Sequence, residues 1–266
     1  MKRKWLAVGI ILLFVGTCII PAIAQDTRKP QSTPRGNWLY VGGDGPGNYT
    51  RIQDAINDSS DGDTVFVYHG IYYEHLRVTK DILLIGEEKD TTYIDGEGKD
   101  TIIYLGANVN LTEFTIQNGE TAIHALNIPS GTYSFIVYAN VIKNCNTGID
   151  LGTQNRHLIT KNNITHNNLG IWLFRTFGSK ITHNNFIDNE KHASFDFLIF
   201  YQVLLLHYNN WNGNYWDDWQ VRVPRPIRGS ADIMFVFFTG ATLIPIYPWI
   251  AFDWQPAQEP YDIGGI

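Results

Sequence analysis

Short apolar runs alternate along this chain with turns rich in Asn, Gly and Asp, and the runs have the length of strands, not helices. Thr64-Val65-Phe66-Val67-Tyr68, Asp81-Ile82-Leu83-Leu84-Ile85-Gly86 and Thr101-Ile102-Ile103-Tyr104-Leu105 come first. From residue 139 the pattern repeats. Asn140-Val141-Ile142-Lys143-Asn144, followed by Gly148-Ile149-Asp150-Leu151, returns as Asn163-Ile164-Thr165-His166-Asn167 with Gly170-Ile171-Trp172-Leu173. It returns again as Asn185-Phe186-Ile187-Asp188-Asn189 with Ala193. Fainter copies flank these, Thr115-Ile116-Gln117-Asn118 with Ala122-Ile123-His124-Ala125 before and Asn210-Trp211-Asn212-Gly213-Asn214 after. A period of about 22 residues with no helical pattern inside it is too short for a strand-helix-strand crossover and suits one coil of a parallel β-solenoid.

Coils stacked about 4.8 Å apart set equivalent residues above one another in columns. The repeat predicts an inward column of Val141, Ile164, Phe186 and Trp211, and two more pairing Ile149 with Ile171 and Leu151 with Leu173. Asn144, Asn167, Asn189 and Asn214 are expected to form a ladder at a turn, where the amide satisfies backbone groups and Asn tolerates positive φ. Before the first coil, Tyr49, Ile52, Ala55 and Ile56 share one face of a short helix ending near Asp58, with Thr50 and Gln53 as a capping box. Such a helix plugs an open first coil. The dense aromatics Trp211, Tyr215, Trp216 and Trp219 are expected to plug the last one; a carbohydrate-stacking strip is the competing reading. The fold class is therefore all-β, a parallel β-helix with an N-terminal capping helix and an aromatic C-terminal cap, over residues 37–219, with a capping extension over 220–266.

Composition narrows the setting. The chain is 44% hydrophobic and 17% charged, which excludes disorder, and scarce helix formers exclude a helical bundle. Lys2, Arg3 and Lys4, the apolar stretch from Trp5 to Ile20, and Ala22-Ile23-Ala24 read as a secretory signal over residues 1–24, followed by a flexible stretch over 25–36. An uncleaved anchor is the alternative. Cleavage removes three basic residues and takes the formal charge from −6 to −9, so nucleic acid is not an expected partner. Cys145 is then the one remaining cysteine, and no internal disulfide forms. Four sequons follow the signal, at Asn48, Asn57, Asn110 and Asn163.

The segments Ile52-Gln53-Asp54-Ala55-Ile56, Gly62-Asp63-Thr64-Val65, Gly70-Ile71-Tyr72-Tyr73-Glu74 and Ile94-Asp95-Gly96, with the Asn repeats after them, resemble right-handed parallel β-helix proteins of the pectin-lyase-like superfamily. Within that group the chain is similar to the NosD-like periplasmic family described as copper-binding. Its end, from Asn214-Tyr215-Trp216-Asp217-Asp218-Trp219 through Phe252-Asp253-Trp254 to Glu259-Pro260-Tyr261-Asp262-Ile263, is similar to exported archaeal members and reads as a terminal seal. Gly70-Ile71-Tyr72-Tyr73-Glu74 also matches a G-x-Y-x-E motif of pectin methylesterases, whose other motifs are missing here; Gly turning the chain and Tyr packing account for it.

For chemistry, two outward columns are candidates. One sets His124, Asp150 and Trp172 on successive coils, a His/carboxylate pair beside an aromatic platform suited to a sugar ring. The other sets Lys143, His166 and Asp188 likewise. His124 and Asp150 are the catalytic candidates; Trp172, His166, Asp188 and Lys143 are the substrate-binding ones. Polar outward positions with no role are the competing explanation. No metal or cofactor is expected: Cu(I) prefers sulfur, and beyond the signal only Cys145 and Met234 supply it, while the histidines show no close pairing. Asp217 and Asp218 would suit Ca²⁺, but adjacent acids on a turn are more often solvated or capping. Residues 233–252 are apolar enough for a membrane span, yet Gly240, Pro245 and Pro248 favour strands or a hairpin; contact with a membrane stays open. The reading that follows is an exported, noncatalytic module binding a polysaccharide or cell-surface protein. Its alternatives are a polysaccharide lyase, hydrolase or epimerase, and, as the resemblance implies, an accessory factor for a membrane transporter or metal-centre assembly.

Overall fold

A computed structural model describes residues 36–125, 133–152, 156–200, 209–237 and 240–264. The signal segment 1–24 and residues 25–35 lie outside them. The described chain coils through three parallel faces. The first stacks Trp38–Val41, Thr64–Val67, Leu83–Gly86, Asn110–Thr112, Ile136–Tyr138, Leu158–Thr160, Lys180–Thr182 and Asn210–Asn212. The second and third each hold half of the long bent strands Thr115–Ala125 and Val141–Leu151, one corner apart. Alternation decides what enters the core. Ile123, Ile149 and Ile171 stack in one inward column and Leu151 and Leu173 in another, all fully buried, as the repeat predicts. Each such side chain contributes about 1.5–3 kcal/mol through burial.

One predicted column is out of register. Val141 pairs with Asn163, and the inward column is Ile116, Ile142, Ile164, Phe186 and Trp216. Trp211 belongs to a different face, above Ile181. The Asn prediction merges two ladders. In one, the amide oxygens of Asn162, Asn184 and Asn214 accept from the backbone N–H of Asn140, Asn162 and Asn184, at 3.0, 3.0 and 3.1 Å. In the other, Asn167 and Asn189 serve Cys145 and Asn167 in the same way, both at 3.0 Å. Cys145 therefore occupies the slot below Asn167. Asn144 stands one residue earlier at a corner of positive φ (55°), in line with Asn118 (58°), His166 (54°) and Asp188 (52°). The repeated glycines have a packing cause: a Cβ on Gly148 would lie 2.5 Å from the carbonyl oxygen of Gly170, and one on Gly170 equally close to that of His192.

The helix α1 (Ile52–Asp58) covers the first coil with Ile52, Ala55 and Ile56. Its caps are not the predicted box. Arg51 is the N-cap residue and its side chain caps nothing; the carboxylate of buried Glu74 accepts from Ile52 N (2.8 Å) and Gln53 N (3.0 Å) instead. At the far end Lys80 Nζ donates to the carbonyls of Ile56, Asn57 and Ser59 at 3.1, 2.6 and 2.5 Å. The G-x-Y-x-E motif thus has a structural role, with Tyr72 OH on the Tyr68 carbonyl (2.9 Å) and Glu74 as a cap supplied from the next coil. Glu74→Ala is expected to lower unfolding free energy by about 1–2 kcal/mol in a urea titration. The neighbouring exposed Tyr73→Ala serves as the near-neutral comparison; equal midpoints for the two variants would contradict the capping role.

At the C-terminal end Trp216 stacks on Phe186 (ring centroids 4.2 Å apart, 6° between planes) and Trp211 is buried beside it. These two rings close the core and offer no face to a sugar. Arg225–Phe237 and Gly240–Asp253 pair antiparallel, and the first of them continues the third face through Asp196–Ser230 and the pairs that follow. The described residues of segment 233–252 thus lie in paired strands, and no helix among the described residues is long and apolar enough to cross a membrane. Beyond Asp253 the tail first adds a rung over the end, with Ala257 pairing parallel to Tyr215 and its N donating to the Asn214 carbonyl (2.9 Å). It then runs down the outside of the coils, with Tyr261 beside Asn185 and Gly264 beside Asn163.

Candidate functional site

The third face carries the first predicted column intact. Its outward positions read Arg77, Tyr104, His124, Asp150, Trp172 and Ser194 in register over successive coils. The register is fixed by the inward neighbours: with Ile123, Ile149 and Ile171 in the core, the residue after each must face out. His124 Nδ1 lies 2.8 Å from Asp150 Oδ2. A carboxylate accepts, so Nδ1 carries a proton in this pair, and in the neutral ring Nε2 is then the acceptor nitrogen. The edge of Tyr104 meets the imidazole at 5.7 Å, and Trp172, 37% exposed, lies on the coil beyond Asp150 with Phe174 tilted against it at 5.6 Å. Arg175 lies over the Phe174 ring at 4.9 Å, and Lys191 donates to Ser194 Oγ at 2.8 Å. Such a strip sets aromatic surface beside fixed polar atoms.

The second predicted column is not a column. Lys143 pairs with Thr165, one position away from the corner that holds His166 and Asp188. His166 Nε2 and Asp188 Oδ2 are 3.7 Å apart and both side chains are well exposed. The repeat places Asn144, not Lys143, below His166, because the chain passes from strand to corner between residues 143 and 144.

A further cluster escaped the sequence reading. His192 is buried at the last coil, and its Nε2 lies 2.7 Å from Asp217 Oδ1 and 3.6 Å from Asp218 Oδ1. Arg225 takes both oxygens of Asp218, at 3.1 and 2.8 Å, and spreads over the Trp216 ring at 4.1 Å. Burial holds the His192 pKa below its ordinary value against the pull of the two aspartates. The signal was present: His192 follows Ala122, Gly148 and Gly170 in a column of small residues and is the one bulky, titratable side chain in it.

Comparison with known proteins finds similarity over part of the chain. Residues 128–220 match the family model described as periplasmic copper-binding protein (NosD). No curated protein matches the chain. Among solved structures, a pectin methylesterase from carrot is 14% identical with a TM-score of 0.41, over 69% of this chain and 83% of that one. The pectin methylesterase PemA from Erwinia chrysanthemi is 12% identical with a TM-score of 0.41, over 79% of this chain and 64% of that one.

The family description implies copper, and the donor atoms can be tested against it. Among the described residues one group of three ligating side chains converges, His192, Asp217 and Asp218, with donor atoms within 4.8 Å of one another. The group offers one imidazole and two hard carboxylates, one of them already held by the Arg225 fork, and no sulfur, a donor set unlike the thiolate and thioether that Cu(I) takes. The described sulfur ligand, Cys145, is buried, and burial pushes its thiol up to about 11. Residues 128–220 are thus similar to the NosD family model over the coils that carry the stacked Asn ladders, and the described chain is a parallel β-helix.

Proposed function

We propose that the chain is an extracytoplasmic binding module whose third face takes a carbohydrate. One observation carries the reading: Tyr104, His124, Asp150 and Trp172 stand in a single outward column, with the imidazole and carboxylate fixed to each other between two aromatic rings. Stacking on Trp172 would supply affinity, and Asp150 with His124 Nε2 would read hydroxyl groups. The periplasmic description of the matched family and the signal-like residues 1–24 support a place outside the cytoplasm.

The test is retention on a panel of immobilised glycans. Trp172→Ala is expected to weaken any binding at least tenfold, in line with about 1.5 kcal/mol for a lost stacking platform, while the thermal midpoint stays near that of the parent. Binding to no polysaccharide, or binding indifferent to Trp172, removes the proposal. The His124–Asp150 pair favours a second reading, acid-base cleavage of a bound glycan, with Asp150 orienting the ring and Nε2 accepting a proton. Product release from a retained polymer, lost in His124→Ala while retention persists, would select it.

A further inference from the structure

Outward positions of a solenoid are expected to be wet, and on the second face four of them are not. Thr115, Val141, Asn163 and Asn185 lie in one column on the side opposite the inward Ile116, Ile142, Ile164 and Phe186, yet none is more than 2% exposed. Thr115 Oγ1 donates to the Lys89 carbonyl at 2.7 Å, whereas the last two are covered by the tail. Asn185 grips it by the backbone at two points: Tyr261 N donates to Asn185 Oδ1 and Asn185 Nδ2 donates to the Tyr261 carbonyl, both at 2.8 Å. Asn163 Nδ2 donates to the carbonyl of Gly264, and Ala257 N to that of Asn214 at 2.9 Å. The Tyr261 side chain is an anchor. Its hydroxyl donates to the Gly213 carbonyl (2.6 Å) and its ring rests against His183 (5.6 Å). Ile263, 9% exposed, is the second apolar contact.

This is how a groove recognises an extended peptide: paired donors and acceptors for the main chain, one pocketed aromatic for specificity. The two asparagines are linked beneath the tail by Asn185 Nδ2 to Asn163 Oδ1 at 2.7 Å, so the groove floor is ordered by its own bond as well as by the tail. We infer that the outer groove over Asn163 and Asn185 is a peptide-recognition site, filled in cis by residues 261–264 and open, once they lift out, to the same segment of a second copy. The occupant follows from the fit, since the residues that match the groove are this chain's own Tyr261 and Ile263. The short span between Ala257, held on the last coil, and Tyr261, held in the groove, is where a tail would pass from one copy to another. The sequon at Asn163 gives the groove a modification that excludes the tail, because a glycan would occupy the Nδ2 that holds Gly264.

The experiment removes residues 255–266 and returns them as a fluorescent synthetic peptide. Saturable binding to the truncated protein, none to the full chain, and at least tenfold weaker binding when the peptide carries Tyr261→Ala or the protein Asn185→Ala are the expected results. A truncated protein that keeps the circular dichroism of the parent but ignores the peptide overturns the inference, as does a peptide whose tyrosine does not matter. Should truncation prevent folding, a protease site placed at residues 255–258 of the full chain serves instead. After cleavage the labelled peptide is expected to exchange into the folded protein, and no exchange overturns the inference.

Discussion

Replacing Asn162 by alanine is expected to lower the unfolding free energy by about 3–5 kcal/mol, a large share of what a domain of this size holds. Asn162 is fully buried. Its Oδ1 accepts from both N and Nδ2 of Asn140 (3.0 and 3.2 Å), and its own Nδ2 faces the carbonyls of Val137 and Thr160 and the Oδ1 of Asn184, at 2.9, 3.1 and 2.9 Å. Alanine removes the side chain from both roles at once and leaves partners above and below without water to replace it. The substitution Asn162→Asp would not preserve the site either, since a carboxylate keeps the acceptor but faces those carbonyls without a donor. Asn146, whose exposed amide bonds Glu120 Oε1, provides the comparison, and Asn146→Ala is expected to stay within about 0.5 kcal/mol of the parent. Urea unfolding measures both. An Asn162→Ala midpoint as close to the parent as that of Asn146→Ala would show that the ladder is decoration, not support.

The distinction between those two asparagines marks where the sequence stops being legible. Coil length and inward alternation are written in the repeat, so Ile149 over Ile171 and Leu151 over Leu173 could be read without coordinates, and with them the outward His124, Asp150 and Trp172. Asparagines are too frequent for the same certainty. Two ladders a few residues apart share one spacing, and a slip of one residue puts Asn144 in the place that Cys145 holds. Val141 misleads for a different reason: it is apolar and buried, but it faces out between Thr115 and Asn163 and is not part of the core. The tail contact joins Asn163 to Gly264, 101 residues apart, and no periodicity predicts it. The buried His192 network likewise depends on which coil is last, a fact of the assembled solenoid.

The last coil also sets the second large expectation, at Asp253. Every interior rung of the first ladder is an asparagine because each must accept from the coil below and donate across it. The final rung has five donors and no acceptor to serve. Gly213 N and Gln255 N reach Asp253 Oδ1 at 3.1 and 3.2 Å, while Asn214 N, Asn214 Nδ2 and Trp216 Nε1 reach Oδ2 at 3.0, 2.9 and 3.1 Å. A buried carboxylate is the side chain that meets all five, which is why the ladder ends on Asp supplied by the strand Gly240–Asp253. Asp253→Ala is expected to cost about 3–5 kcal/mol, and Asp253→Asn nearly as much, because its amide nitrogen must point at donors. Near-parent stability for Asp253→Asn in thermal or urea unfolding would refute the acceptor-only account. If instead Asp253→Asn fails while Asn162→Ala is tolerated, the coils are held by the closure of their end and not by the ladder beneath it.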